Sequence, residues 1–139
     1  MSIDIFFQDL PADVDDARDI PHDFVPGPIG SRAEVTAALV AAADIDFTGP
    51  QWGRIEGQRY SVEVNLGTDD PVMGFAFHAR GADLREVDLI VADVLTALGI
   101  RALDPRREKV IVDPETLLRP DPEADTAWLS LLESAALRD

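Results

Sequence analysis

The chain has 139 residues, of which 46% are hydrophobic and 28% charged, and this length and composition suit one globular domain. Cysteine is absent, so disulfides, thiolate catalysis and cysteine-based zinc or iron–sulfur sites are excluded, and a cytoplasmic location is expected. The net charge of −15 argues against nucleic acid or an anionic membrane as a partner, because contacts to phosphate require Lys and Arg. No apolar run is long enough to span a bilayer.

The negative charge is concentrated in two parts of the chain. Residues 1–30 contain seven acidic residues and one basic residue, and residues 113–139 contain seven acidic and two basic residues. Such a field speeds the encounter with a basic protein, although an acidic surface also serves solubility alone.

The first part of the chain predicts one strand, a long loop and one helix. Hydrophobic alternation in Ser2–Gln8 predicts a strand that is buried on one side. Residues 9–30 predict a loop rich in Pro and Gly, with a short helical turn over Ala12–Arg18. Ser31 opens the capping-box sequence SRAE, from which a helix is expected to run to about Ala43.

The remaining sequence predicts a strand meander, a helix, a hairpin and a final helix. Alternate residues from Met73 to Ala79 are expected to face the core. In chain order, the predicted elements are strands Trp52–Glu56, Arg59–Leu66 and Val72–Arg80, a helix capped by Asp83 and ended by Gly99, a hairpin of Ile100–Leu103 with Lys109–Val112, a turn at Glu115–Leu118 and a helix over Asp125–Leu137.

This order predicts an α+β fold with a mostly antiparallel sheet and two helices packed on one face, a ferredoxin-like variant, plus a C-terminal helix. We expect a single α+β domain over residues 1–118, which includes the acidic loop 9–30, and a linker with the C-terminal amphipathic helix over residues 119–139. Trp128, Leu131 and Leu132 form the apolar stripe of that helix. They are candidate contacts to the chain's own domain, to a second copy or to a partner.

The strand VMGFAFHAR holds the main candidate site. Gly74, Ala76 and His78 lie on the face opposite the core, where small residues beside a histidine cover the sheet poorly. Side chains expected on the same face complete a predicted shallow binding trough: Phe6, Ser61, Glu63 and Asn65.

Pairing of the strands is expected to place either Ser61 or Arg59 opposite His78. A Ser–His pair suggests a nucleophile and its base, but no orienting acid and no Gly-x-Ser-x-Gly turn is visible. The sequence therefore predicts no catalytic residue.

The acidic segment DVDDARD, residues 13–19, resembles a calcium loop only in part. Ala17 and Arg18 stand where an EF-hand needs a ligand and a glycine, and no glutamate closes the loop. A cluster with His22 and Asp23 is the remaining metal hypothesis, but such acidic groups are usually solvated. The sequence predicts no metal and no cofactor. The basic residues from Arg101 to Lys109 are expected to neutralise nearby acids such as Asp104 and Glu108.

Three stretches, SIDIFFQDL, YSVEVNLGTDDPVMGFAFHARG and LGIRALDP, resemble a group of small α+β proteins from GC-rich bacteria that have no established activity. The resemblance covers roughly residues 2–112. It supports the α+β fold and implies no catalytic residues.

These features predict a non-enzymatic cytoplasmic protein, a monomer or homodimer, that binds a basic protein partner, as an immunity protein or antitoxin does. The alternative is a small-molecule binder or minor enzyme that uses the sheet face around His78.

Overall fold

The structure, a computed structural model, describes residues 2–82, 84–107 and 110–118. Its helices and strands are, in chain order, β1 (Ser2–Gln8), α1 (Arg32–Ala43), β2 (Asp46–Phe47), β3 (Trp52–Glu56), β4 (Tyr60–Asn65), β5 (Gly74–Gly81), α2 (Arg85–Leu98), β6 (Arg101–Leu103), β7 (Ile111–Val112) and α3 (Pro114–Leu118).

The strands form one antiparallel sheet in the order β2-β3-β4-β5-β1-β6-β7. The four central strands β4-β5-β1-β6, with α1 and α2 in the two crossovers, have the strand order of a ferredoxin-like sandwich. Strands β2 and β3 extend the sheet at one edge, and β7 extends it at the other. The predicted α+β class with helices packed on one face is confirmed.

The core lies between the sheet and the two longer helices. Its centre is an aromatic cluster, in which the ring centroid of Phe7 lies 4.5 Å from that of Phe75 and 4.6 Å from that of Phe77. Val35 and Leu39 of α1 are almost fully buried against it, as is one face of α2. The apolar alternation of the strands and the helical spacing therefore converge on one hydrophobic core.

Helix α1 begins as the capping box predicts. The Ser31 hydroxyl accepts a hydrogen bond from the backbone N–H of Glu34 at 3.1 Å and donates one to the Glu34 carboxylate at 2.9 Å. These contacts satisfy a backbone donor that the helix itself leaves unpaired. Helix α2 ends at Gly99, which adopts the left-handed conformation that stops a helix.

Arg32, in the first turn of α1, ties the helix to two connections of the sheet. Its guanidinium donates to the carbonyl oxygens of Pro50 (2.6 Å), Gly67 (2.9 Å) and Asp69 (2.6 Å), and its backbone N–H donates to Asp70 Oδ1 at 3.0 Å. One side chain thus fixes the turn before β3 and the connection between β4 and β5.

The core position before β5 is filled by Val72, which has no exposed surface, and not by Met73, which is half-buried. Val72 forms two backbone hydrogen bonds with the loop before α1: its N–H donates to the carbonyl oxygen of Gly30, and its carbonyl oxygen accepts from the N–H of Ile29, each at 2.8 Å. This bridge turns Val72 towards the core, so the predicted inward position of Met73 was wrong.

An ion-pair cluster joins the β6–β7 hairpin to α2. Asp104, which is fully buried, accepts from the backbone N–H of Arg106 at 3.0 Å and from its guanidinium at 2.8 Å. Asp88 of α2 accepts from Arg106 (2.6 Å) and Arg107 (3.0 Å). Burial by itself lowers the pKa of Arg106, but the hydrogen bonds and charges of Asp104 and Asp88 outweigh it and raise that pKa above its ordinary value. The predicted neutralisation of acids by these arginines is confirmed for Asp104.

Several predictions fall outside the described residues: the helix cap Asp83, the hairpin residues Glu108 and Lys109, and the C-terminal helix with Trp128, Leu131 and Leu132. Within the described residues, α2 begins at Arg85, and its N-cap residue, Leu84, makes no side-chain capping hydrogen bond. No helix in this part of the chain is long and apolar enough to cross a membrane.

Candidate functional site

The sheet has one face covered by α1 and α2 and an opposite face on which no described helix packs. Side chains alternate between the two faces, so Phe7 and Phe77 point into the core while Phe6 and His78 point away from it. Phe6 is 43% exposed, and Trp52 on β3 is 41% exposed. We call the uncovered side of β3, β4, β5 and β1 the open face.

Strand pairing arranges the side chains of the open face in rows that cross the sheet. Residues directly opposite each other on antiparallel strands have Cβ atoms roughly 4.5–5.5 Å apart, so neighbours in a row are in contact range. Read from β3 to β1, the rows are the apolar row Trp52, Asn65, Ala76 and Phe6; the charged row Arg54, Glu63, His78 and Asp4; and the serine row Glu56, Ser61, Arg80 and Ser2.

The residue opposite His78 on β4 is Glu63. Both predicted registers, which place Ser61 or Arg59 there, were wrong. The connection over residues 66–73 is the cause, because Val72 pairs with the loop before α1 and does not extend the β4–β5 ladder. The pairing of β4 with β5 therefore begins at Asn65 and Ala76, further along β5 than in a tight hairpin.

His78 is oriented by a carboxylate from the neighbouring strand. Its Nδ1 lies 2.7 Å from Oδ1 of Asp4, which faces it from β1. A carboxylate oxygen can only accept, so Nδ1 donates and a neutral imidazole keeps its lone pair on Nε2. No described residue forms a hydrogen bond with Nε2. The expectation that no acid orients His78 was wrong, because Asp4 is far from it in sequence and adjacent in space.

Two depressions lie on the open face. The apolar depression, of about 300 Å³, lies over Gly74 and Ala76 and is flanked by Phe6 and Asn65. The polar depression, of about 430 Å³, is lined by Ser2, Asp4, Arg54, Ser61, Glu63, His78 and Arg80. Hydrophobic contact and polar recognition are therefore available side by side.

All seven residues predicted for a binding trough share the open face. Four line the apolar depression (Phe6, Asn65, Gly74 and Ala76) and three line the polar one (Ser61, Glu63 and His78). Their role in binding stays a prediction.

Six further residues of these rows were not among the predicted site residues: Ser2, Asp4, Trp52, Arg54, Glu56 and Arg80. Alternation within each strand already places them opposite the core. The missing information was that β1 lies beside β5, which brings Asp4 to His78.

The acidic loop is anchored at one end of the open face. Arg101 lies opposite Gln8 and on the same side of the sheet. Its guanidinium donates to the carbonyl oxygens of Pro11 and Val14 and lies 3.4 Å from Asp15 Oδ1. These contacts hold residues 11–15 of the acidic loop beside that end of the face.

Within the loop, the helical turn covers Ala17–Asp19 and is capped by Asp16, so it is shorter than the predicted turn over Ala12–Arg18. Asp16 also forms an ion pair with Arg18 at 2.6 Å. Among the described residues, no group of three or more His, Asp and Glu side chains is placed to hold a metal ion.

Comparison of the chain with protein-family models, with curated proteins and with solved structures finds no match. The resemblance to a bacterial family therefore stays a prediction, and the proposals for function rest on the geometry and charge of this chain alone.

Proposed function

We propose that the protein is a non-enzymatic binding protein that docks a basic protein partner on its open face. The observation that carries the proposal is the apolar row, in which the exposed rings of Trp52 and Phe6 lie at the two ends and the smaller side chains of Asn65 and Ala76 lie between them. Three strand spacings, about 14 Å, separate the two strands that carry these rings, β3 and β1. A helix with its side chains is about 10–12 Å wide, so a partner helix fits between the rings.

The aromatic pair is the expected source of affinity. Exposed aromatic side chains on a rigid sheet bury a large area at little entropic cost, and such residues dominate the binding energy of protein interfaces. Both rings project from strands that are hydrogen-bonded on both sides, so the surface is already organised before a partner arrives.

The charge of the chain favours a basic partner. The open face adjoins the loop held by Arg101, and residues 1–30 carry a net charge of −6, from seven acidic residues and one basic residue. A negative field of this kind accelerates the encounter with a positively charged protein and repels acidic ones. Neutralisation of a basic toxin by an immunity protein or antitoxin is one function with this chemistry.

Affinity capture from extracts of the source organism tests the proposal. We expect a basic protein to be retained stoichiometrically by the wild type and released by salt. The double variant Phe6→Thr/Trp52→Thr should lose it, whereas Val40→Gln/Leu89→Gln, which changes two exposed apolar residues on α1 and α2, should retain it. Circular dichroism melting of each variant confirms that it is folded. Absence of a stoichiometric partner, or equal retention by both double variants, would contradict the proposal.

A second function is favoured by a separate observation, the ordered His78–Asp4 pair within the polar depression. We propose, as the alternative, that the open face binds a small polar molecule there. Ligand sites combine a concave surface with a few convergent polar groups, as this depression does.

A further inference from the structure

We propose that the polar depression binds a small carboxylic acid that also carries hydroxyl or ammonium groups. Arg80 holds the carboxylate, and Nε2 of His78 accepts a hydrogen bond from a hydroxyl or ammonium group. This inference rests on the small-molecule function and not on the docking of a protein partner.

Arg80 is the anion-binding end of the depression. Its side chain is exposed and forms no hydrogen bond or ion pair with another described residue. Ser61 and Ser2 lie directly opposite it on the two neighbouring strands. A guanidinium fork flanked by two hydroxyl donors matches the two oxygens of a carboxylate.

The charged row supplies acceptors next to these donors. His78 presents the lone pair of Nε2, because the proton of the neutral ring is on Nδ1, which donates a hydrogen bond to Asp4. Glu63, opposite His78, adds an exposed carboxylate. Adjacent rows are roughly 6–7 Å apart along the strands, so a ligand must present acceptors at one end and donors at the other.

The charged side chains that line the polar depression favour a carboxylate over a phosphate. The polar depression contains the acids Asp4 and Glu63 and the bases Arg54 and Arg80, and Arg54 already pairs with Glu56 at 2.9 Å. A phosphate dianion bound at Arg80 would be repelled by the carboxylates of Asp4 and Glu63 in the next row. A singly charged carboxylate with hydroxyl or ammonium donors satisfies both rows, and a volume of about 430 Å³ accommodates a sugar acid or an amino acid.

The first measurement is the tautomer of His78, read from the nitrogen chemical shifts of its ring by NMR. We expect the proton on Nδ1, with His22 as the internal reference for an exposed loop imidazole. A proton on Nε2 in the neutral ring would overturn the acceptor role and the proposal with it.

The second measurement is an NMR titration with D-glucuronate and with 5-aminopentanoate. We expect saturable shifts at His78 and Arg80 with at least one of them, and roughly tenfold weaker binding of D-glucose, which lacks the carboxylate, and of acetate, which lacks the donors. Arg80→Gln should weaken binding roughly tenfold or more, whereas Arg59→Gln, which removes the same charge outside the depression, should leave it unchanged.

Absence of saturable shifts with both probes, or equal binding of D-glucose, would overturn the inference. The variant Phe6→Thr/Trp52→Thr separates the two proposals, because it should lose the protein partner and keep the small ligand. If the wild type binds a probe but no basic protein, only the docking proposal fails, and if it binds a basic protein but neither probe, only this inference fails.

Discussion

The buried carboxylate of Asp104 gives the most quantitative test of the packing between the β6–β7 hairpin and α2. Asp104→Asn preserves the volume and one acceptor oxygen. It replaces Oδ2, which accepts from Arg106 at 2.8 Å and lies 3.6 Å from Nε of Arg107, with an amide NH₂. The variant therefore sets a donor against two guanidinium donors and removes the negative charge between them.

The expected loss of stability depends on the burial of Asp104 and on the ion pairs that Arg106 and Arg107 keep in the variant. Removing one partner of a fully buried ion pair costs about 3–5 kcal/mol. The side chains of Arg106 and Arg107 are 25% and 24% exposed, and Asp88 still binds both, so the cost is reduced to about 2–3 kcal/mol. At about 3–5 °C per kcal/mol for a chain of this length, the melting temperature falls by roughly 6–15 °C.

Urea unfolding followed by tryptophan fluorescence, together with a thermal melt, measures this change. The matched control is Asp93→Asn, an exposed acid on α2, which should shift the free energy of unfolding by no more than about 0.5 kcal/mol. If Asp104→Asn is no more destabilising than Asp93→Asn, the cluster contributes nothing measurable, and the reasoning from burial and ion pairing is refuted.

Three further stability predictions use the same unfolding measurement. Arg32→Ala should cost about 1–3 kcal/mol. Arg32→Lys should cost less, because an ammonium can still donate to some of the three carbonyl oxygens although it cannot reach all of them at once; equal costs for the two variants would contradict the role assigned to these hydrogen bonds. Phe77→Ala should cost about 3–5 kcal/mol, since the ring is fully buried in the aromatic cluster, and Phe77→Leu should cost less because it leaves a smaller cavity. Gly81→Ala should cost more than about 2 kcal/mol because its Cβ collides with the carbonyl oxygen of Arg59. Gly67→Ala, with open space and φ of +67°, should cost only about 1 kcal/mol, and a smaller cost for Gly81→Ala would contradict the steric argument.

Much of the fold could be predicted because its signals are local. The alternation in SIDIFFQ marks which residues of β1 face the core, and the same rule assigns both faces of β4 and most of β5. Capping residues and Gly99 locate the ends of the helices within one or two residues. Local periodicity and turn chemistry therefore determine the elements and the face on which each side chain lies.

The composition of the site could not be predicted in full because it depends on pairing between distant strands. Asp4 and His78 are 74 residues apart and meet only because β1 lies beside β5. The position opposite His78 depends on the conformation of residues 66–73, where Val72 turns to the loop before α1. A shift of the strand pairing by an even number of residues leaves every side chain on its predicted face. The alternation of hydrophobic residues therefore cannot reveal such a shift.

Docking on the open face can be observed directly as an NMR footprint of the captured partner. With the protein isotopically labelled, the signals of the Trp52 indole, the Phe6 ring and the Ala76 methyl group should shift. The exposed side chains of Val40 on α1 and Leu89 on α2 should be unaffected. A footprint on α1 and α2, with the Trp52 and Phe6 signals unchanged, would contradict the account.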